Sequence, residues 1–137
     1  MKEHFYAEYL EGLKEFIRIP SLSPIFDEHW KENRALFKQM AHLKSFAEKR
    51  GIKNMVIKDI EDEGRSPFLI VDVEAFAGSE REKAPEQQVL MYGHLDKQPF
   101  GDGWNTDPCE PVIKDGRMYG RGSGDDGYAF FTAMLSI

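Results

Sequence analysis

Apolar residues recur at helical spacing near the start of the chain, at Tyr6, Leu10, Leu13 and Ile17, which predicts an amphipathic helix over 3–19 that Pro20 ends. "PSLSP" then reads as a turn-forming connection with two prolines. Leu36, Met40, Leu43 and Ala47 share one face of a second predicted helix, with Asp27 as its N-cap and Gly51 as its stop. Both stripes are read as core. The period then shortens: "NMVIKDI" (54–60), "PFLIVDVEAF" (67–76) and "QVLMYGH" (88–94) are rich in Val, Ile and aromatic residues, as strands are.

"AGSEREKAPEQ", between the last two strands, reads as a solvated loop without chemistry. "EPVIKDGRMYG" predicts a β-hairpin turning at Asp115-Gly116, and a Gly-rich corner, "GRGSGDDG", leads into a final helix. Helices, strands and a closing strand–turn–helix unit predict an α/β layered domain. The last residues, "YAFFTAMLSI", form an apolar helical pattern with no cap and no polar tail. On that ground the chain is expected to be the front part of a longer protein, with Phe130, Phe131, Met134 and Leu135 needing a partner surface that it does not itself contain. It is therefore expected to fold poorly alone and to lack peptidase activity.

Composition narrows the function classes. The 137 residues are about one domain's length, 41% are hydrophobic and 31% charged, which fits a globular protein. A net charge of −6 argues against a nucleic-acid partner, which calls for a basic face. No apolar run approaches the ~18–20 residues of a membrane span, and the acid-bearing N-terminus does not read as a signal peptide. The single cysteine, Cys109, cannot form an internal disulfide, which fits a reducing cytoplasm, and it is read as a packed side chain. His4, His29 and His42 are read as ordinary helix histidines, and Trp104 as a loop anchor.

Two strand ends carry the chemistry. The first holds His94 and Asp96, whose i, i+2 spacing points both side chains the same way from an extended segment. A polar strand end would account for either alone. As a pair, the imidazole is able to bind a metal while the carboxylate fixes its other nitrogen. The second holds Asp125 and Asp126 immediately before the final helix. Adjacent carboxylates repel each other unless a cation or strong donors compensate. Helix capping would use one of them and leave the other unexplained. Gly122, Gly124 and Gly127 formally match the glycine pattern of a dinucleotide site, but its variable positions place two negative charges where a phosphate would bind.

At "YGHLDKQP…GW…DP…P…DGRMYGRGSGDDG" the chain resembles the N-terminal segment of the di-zinc exopeptidases, the family of carnosine-type dipeptidases, aminoacylases and succinyl-diaminopimelate desuccinylase. The resemblance runs from about residue 88 onward and more weakly through the first helix and "IRIPSLSP". It implies a layered catalytic domain with a mixed sheet between helices, of which residues 1–137 are the N-terminal part. It implies that His94 binds one zinc, that Asp96 is the catalytic carboxylate behind it, and that Asp125 bridges two zincs and is followed by a cis peptide bond. Manganese or cobalt would also suit these donors. Relatives often read Asp-Asp-Lys-Gly where this chain has Asp125-Asp126-Gly127-Tyr128, which leaves the subfamily open.

The activity implied is hydrolysis of the amide bond of dipeptides or N-acyl amino acids by a water activated between the metals, with the dipeptidase branch favoured by "LDKQP". A homodimer is implied for the complete protein. The general-base Glu, the remaining ligands and the lid or dimerisation domain are expected beyond residue 137. Lys97 is read as structural, pointing away from Asp96. The alternatives are a truncated chain acting only as a binding or structural module and, remotely, a dinucleotide-binding domain.

Overall fold

A computed structural model describes residues 2–74 and 88–137, with side chains from residue 6 onward. The 77–87 loop, the end of the predicted 67–76 strand at Ala75 and Phe76, and the side chain of His4 lie outside the described residues. The elements run α1 (Lys2–Arg18), α2 (Trp30–Asn33), α3 (Ala35–Lys49), β1 (Met55–Ile60), β2 (Phe68–Val73), β3 (Val112–Lys114), β4 (Arg117–Tyr119) and α4 (Gly127–Ser136).

The core lies where α1, α3 and α4 meet. Leu13, Phe16 and Ile17 from α1, Leu43 from α3 and Phe131 from α4 form its buried cluster. Phe131 is its hub. Its ring meets those of Phe46 at 4.8 Å, Phe130 at 5.8 Å, Tyr9 at 6.0 Å and Phe16 at 6.3 Å, all edge-on, the favoured arrangement for aromatic quadrupoles. Gly12 lets α1 approach this closely, since a methyl group there would sit 2.7 Å from the Phe131 ring. The expectation that α4 lacks a covering surface is thus corrected. Phe131 and Met134 are buried and Phe130 and Leu135 half-buried. Tyr6, expected on the core face of α1, is 66% exposed instead.

The second predicted helix is divided. Arg34 takes a left-handed conformation (φ 58°) between α2 and α3. Asp27 does not cap α3. Its carboxylate accepts the His29 backbone N–H (3.0 Å) and the Asn33 amide (2.6 Å), and Asn33 in turn accepts the Ala35 N–H (2.9 Å) at the start of α3. A short polar side chain beside the break closes the helix end more directly than one eight residues upstream.

β1 and β2 pair antiparallel from Met55↔Val73 to Ile60↔Phe68, and β3 and β4 from Val112↔Tyr119 to Lys114↔Arg117. Asp115 (φ 51°) and Gly116 (φ 71°) supply the two positive angles of the hairpin turn. The described residues form these two ribbons and no mixed sheet between helices. The predicted strand at 88–94 is not formed either. Val89, Leu90 and Tyr92 are 80%, 94% and 78% exposed, in a segment with no ladder partner among the described residues. Apolar β-formers alone do not make a strand where no neighbouring edge supplies the hydrogen bonds.

Because so many aromatic contacts converge on one ring, Phe131→Ala should cost about 3–5 kcal/mol of folding stability, the usual range for emptying a buried aromatic site. Urea unfolding followed by circular dichroism would check this against Tyr128→Ala, on the exposed side of α4 and expected to be near neutral.

Candidate metal centre

The segment 94–97 is tied to the exit of α1. Lys97 N–H donates to Ser21 O (2.8 Å), and Ser23 N–H donates to Lys97 O (2.9 Å), a short parallel bridge across Leu22 and Lys97. The Ser21 hydroxyl donates to Leu95 O at 2.9 Å and lies 3.2 Å from the buried amide oxygen of Gln39. Lys97 itself is 1% exposed. Its ammonium donates to the carbonyls of Phe16 (2.5 Å), Ile17 (3.0 Å) and Ile19 (2.5 Å), closing the C-terminal end of α1. Burial pulls its pKa down to about 8. The structural reading of Lys97 holds, and the side chain reaches away from Asp96 into the core.

Into this frame the two acidic corners come together. His94 Nδ1 lies 3.0 Å from both the carboxylate and the backbone carbonyl of Asp96. His94 Nε2 lies 3.1 Å from Asp125 Oδ1. His94 N–H donates to Asp126 Oδ2 at 3.2 Å. The peptide bond between Asp125 and Asp126 is cis. Asp126 holds the N-cap position of α4 but makes no capping hydrogen bond with its side chain. The capping reading of this corner therefore fails, since both carboxylates turn to His94.

The contact of His94 with Asp125 defines the chemistry. With Nδ1–H donating to Asp96, a neutral ring presents a lone pair at Nε2, facing a carboxylate oxygen that is also an acceptor. Two acceptors 3.1 Å apart need a positive charge between them, a proton or a cation. The separation is also close to the ~3.3 Å between two ligands of one tetrahedral zinc with bonds of about 2.0 Å. Partial burial works against charging the ring. The Asp96 carbonyl and the carboxylates of Asp96, Asp126 and Asp125 outweigh it and hold the imidazole above its usual 6.5.

Among the described residues no group of three or more His, Cys, Asp or Glu side chains converges as a metal cage. The donors present, an imidazole nitrogen and a carboxylate, nevertheless suit a borderline divalent ion such as zinc. Asp126, which accepts the His94 backbone N–H, is a position the sequence gives no separate role. Its signal was the cost of two adjacent carboxylates, which one bridging role did not absorb.

The remaining candidates separate from the site. His42 Nε2 faces Gly12 O (2.8 Å), with its pKa lowered by burial, and the His29 side chain is exposed. Trp104 donates from its indole N–H to Phe100 O (2.5 Å), and the Arg121 guanidinium lies 5.4 Å from its ring centre, which makes it a loop anchor. Cys109 is half-buried, and burial raises its thiol pKa. The Gly122–Gly127 corner follows the antiparallel β3–β4 ribbon, whereas a dinucleotide site follows a strand of a parallel β-α-β unit.

An imidazole nitrogen and a carboxylate oxygen thus face each other across 3.1 Å, and sequence comparison finds metallohydrolases among the proteins this chain is similar to. Residues 90–137 match the profile of Peptidase family M20/M25/M40. An uncharacterized metallohydrolase of Methanocaldococcus jannaschii is 30% identical over 129 residues, 90% of this chain and 29% of that protein. Human Beta-Ala-His dipeptidase is 34% identical over 125 residues, 87% of this chain and 24% of that protein. Succinyl-diaminopimelate desuccinylase of Nautilia profundicola is 34% identical over 77 residues, 47% of this chain and 21% of that protein. The chain is a relative of the M20 peptidase family, and it spans about a quarter of the length of these curated relatives. No described helix is long and apolar enough to cross a membrane.

In the metal-free chain the two partly buried histidines should titrate on opposite sides of 6.5, His94 above and His42 below. The signs follow from linkage. His94 contributes stability that is fully present below pH 6.5 and is lost as pH rises through its raised value. His42 opposes acidification, because below pH 6.5 the unfolded chain takes up a proton that the folded chain resists. Imidazole proton shifts followed by NMR from pH 5 to 8 would check both, and a His94 midpoint below that of His42 would contradict the charge arrangement described.

Proposed function

We propose that His94 and Asp125 are two ligands of a divalent metal centre, zinc by preference, in an M20-type hydrolase acting on the amide bond of dipeptides or N-acyl amino acids. The observation that carries this reading is the pair of facing acceptors, His94 Nε2 and Asp125 Oδ1, 3.1 Å apart.

Each residue has a separate task. Asp96 takes the Nδ1 proton and so fixes the tautomer that leaves Nε2 free. Asp126 holds the His94 backbone through its N–H. Asp125, with a side chain 61% exposed, keeps its carboxylate open on the side away from His94, as a ligand shared by two ions requires. The metals, when bound, acidify a water and polarise the scissile carbonyl. Proton transfer falls, in this reading, to a carboxylate of the complete protein, as the family resemblance implies.

The layered catalytic domain with a mixed sheet belongs to that larger protein in this reading. A homodimer in the cytoplasm agrees with the family resemblance and the single cysteine. For the 137-residue chain alone the reading is narrower. Two converging ligands bind zinc weakly, and turnover is absent.

Zinc titration by calorimetry tests the ligand roles. Asp125→Ala and His94→Ala should remove binding at the site, and Asp96→Asn should weaken it about 10–100-fold, the usual effect of losing a carboxylate behind a ligating histidine. In the complete protein, Asp125→Ala should abolish hydrolysis of both a dipeptide and an N-acyl amino acid. Unchanged zinc affinity in all three variants would overturn the assignment.

A further inference from the structure

Beside the metal pair lies a buried ammonium that touches neither ligand. Its backbone continues directly from His94 and Asp96, and is pinned to the α1 exit by the Ser21 and Ser23 hydrogen bonds. Its ammonium grips three carbonyls at the end of α1. Its methylene stem lies under the Gly-rich corner. A methyl group added at Gly122 (φ 92°) would stand 2.9 Å from Lys97 Cε and 3.0 Å from the Phe16 ring, so glycine is required there for space as well as for conformation. Gly122 O accepts the Gly127 N–H at 2.9 Å, closing the loop that carries Asp125 and Asp126. The same loop meets Phe16 again at its far end, since a methyl group at Gly127 would stand 2.7 Å from that ring. His94 and Asp125, 31 residues apart in sequence, therefore rest on one side chain, His94 through the backbone of Lys97 and Asp125 through its stem.

Resting on the metal reading above, we infer that Lys97 is the positioning residue of the centre: by clamping both corners to the end of α1 it sets the separation of His94 from Asp125. A metal pair tolerates little slack, because ligand distances are fixed to within a few tenths of an ångström. A neutral side chain of similar length fills the space without gripping the carbonyls, and so frees the strand end to drift from the loop.

The test is zinc titration of the chain, with zinc ion alone as the probe, read at the His94 ring signals by NMR and compared with Lys97→Met and a control, Leu36→Ala. Leu36 is buried in α3, so its truncation lowers stability without touching either corner. Lys97→Met should weaken zinc binding at His94 by about tenfold or more, as changes just behind metal ligands do. Leu36→Ala, under conditions where both variants are folded, should leave the affinity within about twofold of the original. If Lys97→Met does not fold, Lys97→Gln, which keeps a donor but loses the charge and part of the reach, takes its place with the same expectation. Binding by the Lys97 variant as tight as the original overturns the inference while leaving the ligands in place. Equal weakening by Lys97→Met and Leu36→Ala also overturns it, reducing Lys97 to a general support of the fold. Loss of the zinc response at His94 already in the unsubstituted chain overturns the metal reading, and this inference with it.

Discussion

Everything around the two acidic corners depends on one buried positive charge. The Lys97 ammonium lies against the Phe16 ring at 4.8 Å and donates to three main-chain oxygens. A helix ends with unsatisfied carbonyls and a partial negative charge, and water ordinarily answers both. Here α1 runs into the core, so water is replaced by a lysine from a segment about eighty residues further along. Removing an ammonium from water is costly, and the pKa of about 8 records that cost. The compensation is geometric, because the same side chain fixes where α1 ends and where the 94–97 segment runs, and it supports the Gly122 loop.

The site inherits its electrostatics from this arrangement. Three carboxylates, those of Asp96, Asp125 and Asp126, surround one imidazole, and each meets a different atom of His94. Repulsion among them is eased by the N–H groups of that residue and, at Nε2, by whatever positive charge lies between ring and carboxylate. The negative field that raises the His94 pKa is also one that would favour the divalent ion proposed above. In the proposed centre a proton and a metal would compete for the same nitrogen of His94.

How much was legible in the sequence follows from where each constraint originates. α1, the face of α3 and the Asp115-Gly116 hairpin were readable because periodicity and turn chemistry are local. That His94 lies beside Asp96 and Asp125 agrees with a grouping made from residue type and spacing alone. The break at Arg34 was not readable, since it depends on Asn33 and Asp27 closing a helix end that a longer apolar pattern had bridged. The covering of α4 was not readable either, because Gly12 and the ring of Phe131 meet only in three dimensions. The 88–94 segment failed for the opposite reason. Its composition is that of a strand, but a strand is a relation between two segments, and one sequence pattern does not supply the partner. Lys97 was placed correctly as structural, though its three acceptors on a distant helix were beyond sequence reasoning.

The exposure of Val89, Leu90, Met91 and Tyr92 bears on how the chain behaves in a crowded solution. Backbone with no ladder partner among the described residues, carrying large apolar side chains, is a template for strand addition by another edge. This exposed stretch lies two residues from His94, since Gly93 alone separates Tyr92 from it. A strand pairing there would run beside His94, so self-association and solvent access to the imidazole would be coupled through the same short stretch of main chain.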